Sequence, residues 1–363
     1  MKILIAGGGT GGHLMPALVL AEALVALDAG VEPVLVGAQR GVEAALLPSK
    51  PYRYHLLPVE PIYRRSWWRN LRWPLIAWRV LRAGGRVLDE ERPALAVGTG
   101  GYASGPILFQ ALRRGLPVAL QEQNAFPGLA TRWLARRAKQ VHLGYPEAAQ
   151  HLTPGPGTAV RTHGNPIRPP AMTAADRSSV RHRLEIEIDT TVLLVMGGSQ
   201  GSLGINRVVA ELLDGSVLDD VVVLWSTGPN SWDEYGRYHS PPRRQVRAFW
   251  DPIDDAYAAA DLVIARAGAM STAEFCAWGL PAVLVPLPSA AANHQARNAE
   301  SLAAAGAAVH LPESRLTAQL LTKTIEQMLR SRNTLEEMRH AARARGRPLA
   351  ARRIASDLLA LVS

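Results

Sequence analysis

His13 closes the stretch IAGGGTGGHLMP, residues 5–16, in which five glycines and a threonine separate an apolar run from a helix-like segment. An imidazole at this place can take a proton from an attacking hydroxyl near neutral pH. A histidine that only caps the turn is the plainer alternative. Gly7, Gly9 and Gly12 satisfy G-x-G-x-x-G after a strand and before a helix, so backbone amides and a helix N-terminus can hold a diphosphate there. A dinucleotide site has the same spacing, but it also needs an acid about 20 residues on, at the end of the second strand, for the ribose. Here that strand ends in Val36, Gly37, Ala38 and Gln39, and Glu43 comes too late, in the next helix-like segment.

Other stretches carry polar groups where a sheet would present them. GGSQGS (197–202) is a second glycine loop between strand and helix. Ser199 can donate its hydroxyl there and the following amides can meet phosphate oxygens, although a tight turn needs glycine for geometry alone. In ARAGAMSTAEFCAWGLP (265–281), a helix starting at Ala269 offers N-terminal amides beside Ser271 and Thr272. Glu274, one turn in, either accepts from a ribose diol or complements the positive helix end. NHQARN (293–298) sets Gln295 and Asn298 on one helical face, suited to sugar hydroxyls or to solvent. LQEQNAFPG (120–128) places Gln121, Glu122, Gln123 and Asn124 just past a strand end.

These loops need a scaffold, and the pattern supplies it twice. KILIAGGG (2–9) reads as a buried parallel strand, PALVLAEALVALDAG (16–30) as the following helix, and EPVLVGA (32–38) as the next strand. The segment 94–117 repeats strand, glycine loop and helix, PVALQEQNAF (117–126) gives another strand, and 141–146 and 160–170 close this half. After the Pro-rich GNPIRPP, the pattern restarts at 190–213, with strands near 221–228, 246–250, 261–268 and 281–288 and helices near 269–279, 294–306 and 317–330. Alternating β and α elements imply an α/β fold with two Rossmann-like, doubly wound parallel sheets facing each other across a cleft. The expected boundaries are 1–165, 166–340 and a C-terminal helical segment, 341–363, that crosses back to the first domain. Two such loops suit a pair of substrates, one of them carrying a diphosphate.

Composition excludes several classes. With 363 residues, 48% hydrophobic and 20% charged, the chain is ordinary globular protein. The single cysteine, Cys276, rules out an internal disulfide framework, fits a reducing cytoplasm and reads as core filler. Neither a signal peptide nor an 18-residue apolar stretch is evident. Seven arginines and no acid lie between Pro61 and Leu88, and taking those seven from the net +9 leaves +2 for everything else. Within this stretch Trp68, Leu71, Leu75 and Trp78 follow 3–4–3 spacing, flanked by arginines, with Pro74 marking a helix start or kink. Tryptophan and arginine together suit an anionic membrane surface, and Trp67, Trp68, Arg69, Arg72, Trp73, Leu75 and Trp78 are the candidates. Packing within the domain is the alternative. A nucleic-acid surface is not expected, because the rest of the chain is nearly balanced and has no such motif.

The motifs GGGTGGHLMPAL, GTGGYASGP, QEQNAFPG, GNPIR, GGSQGSLGIN, RAGAMSTAEFCAWGLPAVLVP and NHQARNAESL stand in an order that resembles the MurG family of bacterial peptidoglycan glycosyltransferases, from about residue 3 to 310. The resemblance implies the GT-B fold and inverting transfer of N-acetylglucosamine from UDP-GlcNAc to the C4 hydroxyl of undecaprenyl-diphospho-N-acetylmuramoyl-pentapeptide, converting lipid I to lipid II. It implies donor contacts from Thr10, Gly11, Gly12, Asn124, Arg168, Ser199, Ile253, Gln295 and the run Ala269, Met270, Ser271, Thr272, Ala273, Glu274. In that scheme the Ile253 backbone holds uracil, Glu274 the ribose, Arg168 and Ser199 the diphosphate or its sugar. Gln295 and the amides of Ala269 and Met270 then belong at the N-acetylglucosamine. Gly9, Thr10, Gly11, Gly12, Gly100, Gly101 and Tyr102 face the lipid diphosphate, and His13 is the general-base candidate. A helix N-terminus beside His13 favours its neutral, proton-accepting form.

The expected partners are thus UDP-GlcNAc, undecaprenyl-linked lipid I, an anionic membrane surface and other cell-wall synthesis proteins, at the cytoplasmic face of the cell membrane. No cofactor is expected, and no DxD-type acidic pair marks a metal site. Two departures from the family pattern stand out: His294 precedes Gln295 where many relatives carry two glutamines, and PSAAAN lacks the charges often found there. Other GT-B enzymes, a soluble-acceptor glycosyltransferase or a UDP-GlcNAc 2-epimerase, are the alternatives; the set of carboxylates and histidines an epimerase needs is missing.

Overall fold

The computed structural model describes residues 1–9, 11–60, 73–171 and 174–362, without the side chains of 73, 174 and 175. Thr10, Trp67, Trp68, Arg69, Arg72 and the Trp73 side chain therefore lie outside the described residues. The chain divides into two compact units, one of Met1–Arg168 with Leu349–Ser363, the other of Pro169–Pro348.

Among the described residues the first unit carries seven parallel strands: β1 (Lys2–Gly7), β2 (Glu32–Ala38), β3 (Arg53–Leu57), β4 (Leu95–Gly100), β5 (Val118–Glu122), β6 (Gln140–Leu143) and β7 (Ala159–Arg161). Their order is β3-β2-β1-β4-β5-β6-β7. Because a strand alternates its faces, the apolar run of β1 splits between two cores. Ile3 and Ile5 pack with Leu14, Leu18, Leu35 and Val97 on one side. Leu4 and Ala6 pack with Val36, Ile107 and Leu108 on the other. The last helix, Ala350–Leu359, joins the first of these cores through Ile354, Ala355 and Leu358.

The second unit carries β8 (Val192–Met196), β9 (Val222–Ser226), β10 (Arg244–Arg247), β11 (Leu262–Ala265), β12 (Ala282–Leu284) and β13 (Ala308–His310). Their order, β10-β9-β8-β11-β12-β13, repeats the first six places of the other sheet. Both sheets thus reverse their winding between first and fourth strands, β1/β4 and β8/β11. Open α/β sheets bind ligands beyond the strand ends at such a switch point. All four glycine-bearing loops of the sequence, after β1, β4, β8 and β11, lie at these two points.

Two strands are absent from the sequence reading. β3 is polar at its start, with Arg53 and Tyr54 exposed, and β13 has only three residues; both occupy sheet edges, where burial demands little apolar sequence. β10 starts at Arg244, two residues ahead of its expected place.

The described part of the basic stretch is the helix Trp73–Glu91, with Pro74 in its first turn. Val80 and Val87 point into the core, with Ile76 and Ala83 partly buried beside them. Leu75 and Trp78 are 50% and 55% exposed, and the Arg82 guanidinium lies 5.3 Å over the Trp78 ring. Among the described residues no helix is long and apolar enough to cross a membrane.

Candidate active site

In the first unit the loops after β1 and β4 touch through backbone. Gly8 N–H donates to Gly100 O at 3.4 Å. Gly101 sits at φ +78°, and a Cβ there would lie 1.8 Å from Gly8 O, so only glycine fits. Gly9 lies against the Tyr102 ring, whose hydroxyl donates to Arg40 O at 3.2 Å. The helix Gly11–Leu27 then opens with Gly11, Gly12 and His13, which turns its first amides toward the same strand ends. Six of the proposed acceptor residues, Gly9, Gly11, Gly12, Gly100, Gly101 and Tyr102, are thereby gathered within one loop pair.

Glu43 supports this pair from below. It is fully buried, and its Oε1 accepts from the Gly9 amide while the carboxylate fills the space beside Gly8 and Gly41 and its aliphatic stem that beside Gly37. The sequence reading set Glu43 aside because a ribose acid belongs at the end of β2. The fold uses it differently, as an internal acceptor for the glycine loop, and its Oε2 has no hydrogen-bond partner among the described residues.

The half-buried His13 is oriented by groups from β4 and from just past the end of β5. Its Nδ1 lies 3.1 Å from Thr99 O and 3.0 Å from Gln123 Oε1. The amide of Gln123 cannot be turned over, because its Nε2 donates to Thr99 O at 2.7 Å, to Gln121 O at 3.0 Å and to Gln121 Oε1. Both neighbours of Nδ1 are therefore acceptors, so Nδ1 carries the proton and the lone pair of the neutral ring is on Nε2. Gln121 is in turn held by Asn165 Oδ1 at 3.1 Å, and Asn165 donates to Gln123 O at 2.9 Å. Thr99 Oγ1 donates to His13 O at 2.8 Å and fixes the start of the helix.

Glu122 organises the adjacent loop: its Oε1 accepts from Asn124 N at 3.1 Å and Nδ2 at 3.3 Å, and its Oε2 from Gly128 N at 3.0 Å. Asn124 is thus positioned at the end of β5, next to the His13 network. Arg168 lies at the other end of the unit's chain and pairs with Glu22, Nη2 to Oε1 at 2.7 Å.

In the second unit Ser199 is exposed in the loop after β8, and Gly201, at φ +78°, lies where a Cβ would meet Thr227 O at 2.1 Å. Ser202 caps the next helix by accepting from Ile205 N at 3.3 Å. The helix Ala269–Trp278 starts four residues after β11 and presents the amides of Ala269, Met270 and Ser271 at its first turn. Ala273 and Glu274 follow on this helix, both half-buried. Tyr257 Oη donates to Glu274 Oε2 at 2.8 Å. Burial, and then the Glu274 charge, push the Tyr257 phenol well above its ordinary range, so it stays a donor. Ile253 begins the short helix that carries Tyr257.

Two expected side-chain contacts are otherwise engaged. Thr272 is buried and its hydroxyl donates to Gly268 O at 2.9 Å. Gln295 Oε1 accepts from Leu287 N at 2.9 Å, which ties the PSAAAN loop to the helix His294–Ala304. Asn298, on the same face, is buried and donates to Ala267 O at 3.1 Å. Cys276 is buried in its helix, with its thiol pushed up to about 12 by burial, which fits packing and not nucleophilic chemistry.

Sequence reasoning missed the parts played by Gln123, Glu43 and Tyr257. Gln123 was visible as a polar residue past a strand end, but its partner lies 110 residues away.

The two switch points match what is known of other chains. Residues 3–143 match the glycosyltransferase family 28 N-terminal domain and residues 192–354 its C-terminal domain. A UDP-N-acetylglucosamine–N-acetylmuramyl-(pentapeptide) pyrophosphoryl-undecaprenol N-acetylglucosamine transferase of Salinibacter ruber is 41% identical, over 99% of this chain and 96% of that one. The protein of the same name from Moorella thermoacetica is 39% identical over 100% of this chain and 99% of its own. A crystal structure of MurG from Acinetobacter baumannii superposes with a TM-score of 0.78 at 25% identity, covering 99% of each chain. A duplicated parallel sheet, paired glycine loops and identity of this extent along the whole chain have one explanation: the chain belongs to the MurG family of N-acetylglucosaminyl glycosyltransferases.

Proposed function

We propose that this enzyme moves N-acetylglucosamine from UDP-GlcNAc to the C4 hydroxyl of undecaprenyl-diphospho-N-acetylmuramoyl-pentapeptide, the lipid I to lipid II step of peptidoglycan synthesis, with inversion at the anomeric carbon. The observation that carries the mechanism is the locked tautomer of His13. Its Nε2 lone pair accepts the proton of the C4 hydroxyl as that oxygen bonds to the anomeric carbon. The bond from that carbon to the UDP oxygen breaks, and its electron pair leaves with the diphosphate. Helix N-termini stabilise such a leaving group without reorganising, and the first turn at Ala269–Ser271 with Ser199 fills that role. Glu274, oriented by Tyr257, takes the ribose hydroxyls, and the Ile253 backbone takes uracil. Thr272 contributes its backbone only, since its hydroxyl is bound within the helix. Gly9, Gly11, Gly12, Gly100, Gly101 and Tyr102 hold the acceptor diphosphate, and Asn124 meets the donor. Arg168 reaches the donor by exchanging its Glu22 partner for phosphate oxygens, and Gln295 meets the sugar from the loop it anchors.

The acceptor is a membrane lipid, so the reading also places the enzyme at the cytoplasmic membrane face, held peripherally by the Trp73–Glu91 helix and the basic stretch before it. The decisive test of the base is His13→Ala assayed with labelled UDP-GlcNAc and a lipid I analogue. Turnover should fall by about 10²–10⁴-fold while donor affinity is kept. Near-normal turnover would remove His13 from the mechanism, and free GlcNAc or ManNAc as the only labelled product would remove the transferase reading.

A further inference from the structure

On the first unit three ligand-bearing side chains converge where the last helix meets β6 and the segment after β7. His142 ends β6 with Leu143, His163 lies two residues past β7, and Asp357 projects from the helix Ala350–Leu359. Their ligand atoms all lie within 4.8 Å of one another.

The protonation pattern can be read from the partners. Gln140 Nε2 donates to Asp357 O at 3.2 Å, so its Oε1 is the atom 3.0 Å from His142 Nε2, which must then carry the hydrogen. That leaves the lone pair of His142 on Nδ1, in a side chain with no exposure and with no hydrogen-bond partner among the described residues. Nδ1 faces Asp357 Oδ2 at 4.0 Å, while His163 Nε2 approaches the same oxygen at 2.6 Å. A buried lone pair without a donor is costly, and a cation is one of the few groups that satisfies it.

From this arrangement we propose that His142, His163 and Asp357 bind one divalent transition ion of the zinc class, which fastens the C-terminal helix to the sheet. Ligands about 2.0–2.1 Å from a tetrahedral ion stand roughly 3.3–3.4 Å apart. Seating the ion therefore asks the His163–Asp357 gap to open by about 0.7 Å and the His142–Asp357 gap to close by about as much. To bind through Nε2, His163 takes the tautomer with its hydrogen on Nδ1. The Gln140 bond to His142 is the kind of outer hydrogen bond that sets the ring and tautomer of a metal-binding imidazole. Arg161 pairs with the other carboxylate oxygen, Oδ1, and keeps Asp357 anionic, at some expense in affinity for a cation. His163 and Asp357 are 21% and 19% exposed, which gives an ion entry and a water its place as fourth ligand.

The experiment uses the full chain, stripped with chelator and titrated with ZnCl₂ against a chromogenic competitor, with CoCl₂ as the spectroscopic probe. One equivalent should bind with sub-micromolar affinity, raise the thermal midpoint, and give cobalt visible bands of tetrahedral intensity. His163→Ala and Asp357→Asn, each checked for native circular dichroism, should weaken binding by about ten-fold or more and lose the midpoint shift. The proposal is overturned if no zinc binds, or if both variants bind as the parent does, which would send the ion elsewhere, as to His55, Glu90 and Glu91.

Discussion

The Nδ1 proton of His13 has two acceptors, and the one that can be changed without touching backbone is Gln123 Oε1. Gln123→Leu would remove that acceptor and the hydrogen bonds its Nε2 donates, leaving Thr99 O as the acceptor at Nδ1. kcat should then fall by about ten-fold with donor affinity kept. An unchanged kcat would show that Gln123 only packs the loop. None of this pairing could be read from spacing. His13 follows β1, Thr99 is the penultimate residue of β4 and Gln123 follows β5, and only the parallel order β1-β4-β5 makes them neighbours. The glycine loop itself was legible, because strand, glycines and helix are contiguous in sequence. Glu43 was set aside as a ribose acid, but spacing says nothing of a carboxylate that the turn at Gly41 folds inward.

Single elements carry two further consequences. The Trp73–Glu91 helix buries Val80 and Val87 and leaves Leu75 and Trp78 outward, a division written in its 3–4 spacing. Trp78→Ala together with Arg82→Ala should weaken binding to vesicles containing phosphatidylglycerol, and the loss should be greatest at low salt. Equal binding by parent and variant in a flotation assay would assign this face to something other than lipid. The same helix ends on Glu91, whose buried carboxylate meets Lys2 at 2.8 Å, Arg53 at 3.2 Å and His55 at 2.8 Å. Burial alone would push this acid up, but the hydrogen bonds from Lys2, His55 and Arg53 outweigh it and hold it at about 2, against 4.5 ordinarily. An acid held low stabilises the fold fully above pH 4.5, and its contribution is lost as pH falls toward 2. Glu91→Gln should therefore lower the urea midpoint at neutral pH and flatten its decline across that acid window. An unchanged slope would mean that the cluster carries no linkage. Lys2, Arg53 and Glu91 sit on three elements far apart in sequence, which is why the edge strand β3 gave so little sign of itself.

At the scale of the whole molecule the duplication was legible and the chain's return was expected, because strand-loop-helix grammar repeats while the last segment has only helical pattern. Ile354, fully buried among residues of the first core, carries much of the return. Ile354→Ala should cost about 2–5 kcal/mol, read as a lowered thermal midpoint with the donor-binding residues of the second unit undisturbed. A variant as stable as the parent would show that the helix merely rests on the surface.

The first unit is made of two stretches, Met1–Arg168 and Leu349–Ser363, with the whole second unit between them in the chain. On the ribosome the order of completion is therefore inverted. The second unit has all its residues before the first has its last helix, and until then Leu14, Leu18 and Leu35 lack the cover of Ile354, Ala355 and Leu358. Domains generally fold as units while they are synthesised. Here the half that emerges first must wait, with an apolar groove open, for some 180 residues of another domain to be translated. That interval closes only when the helix Ala350–Leu359 has been made.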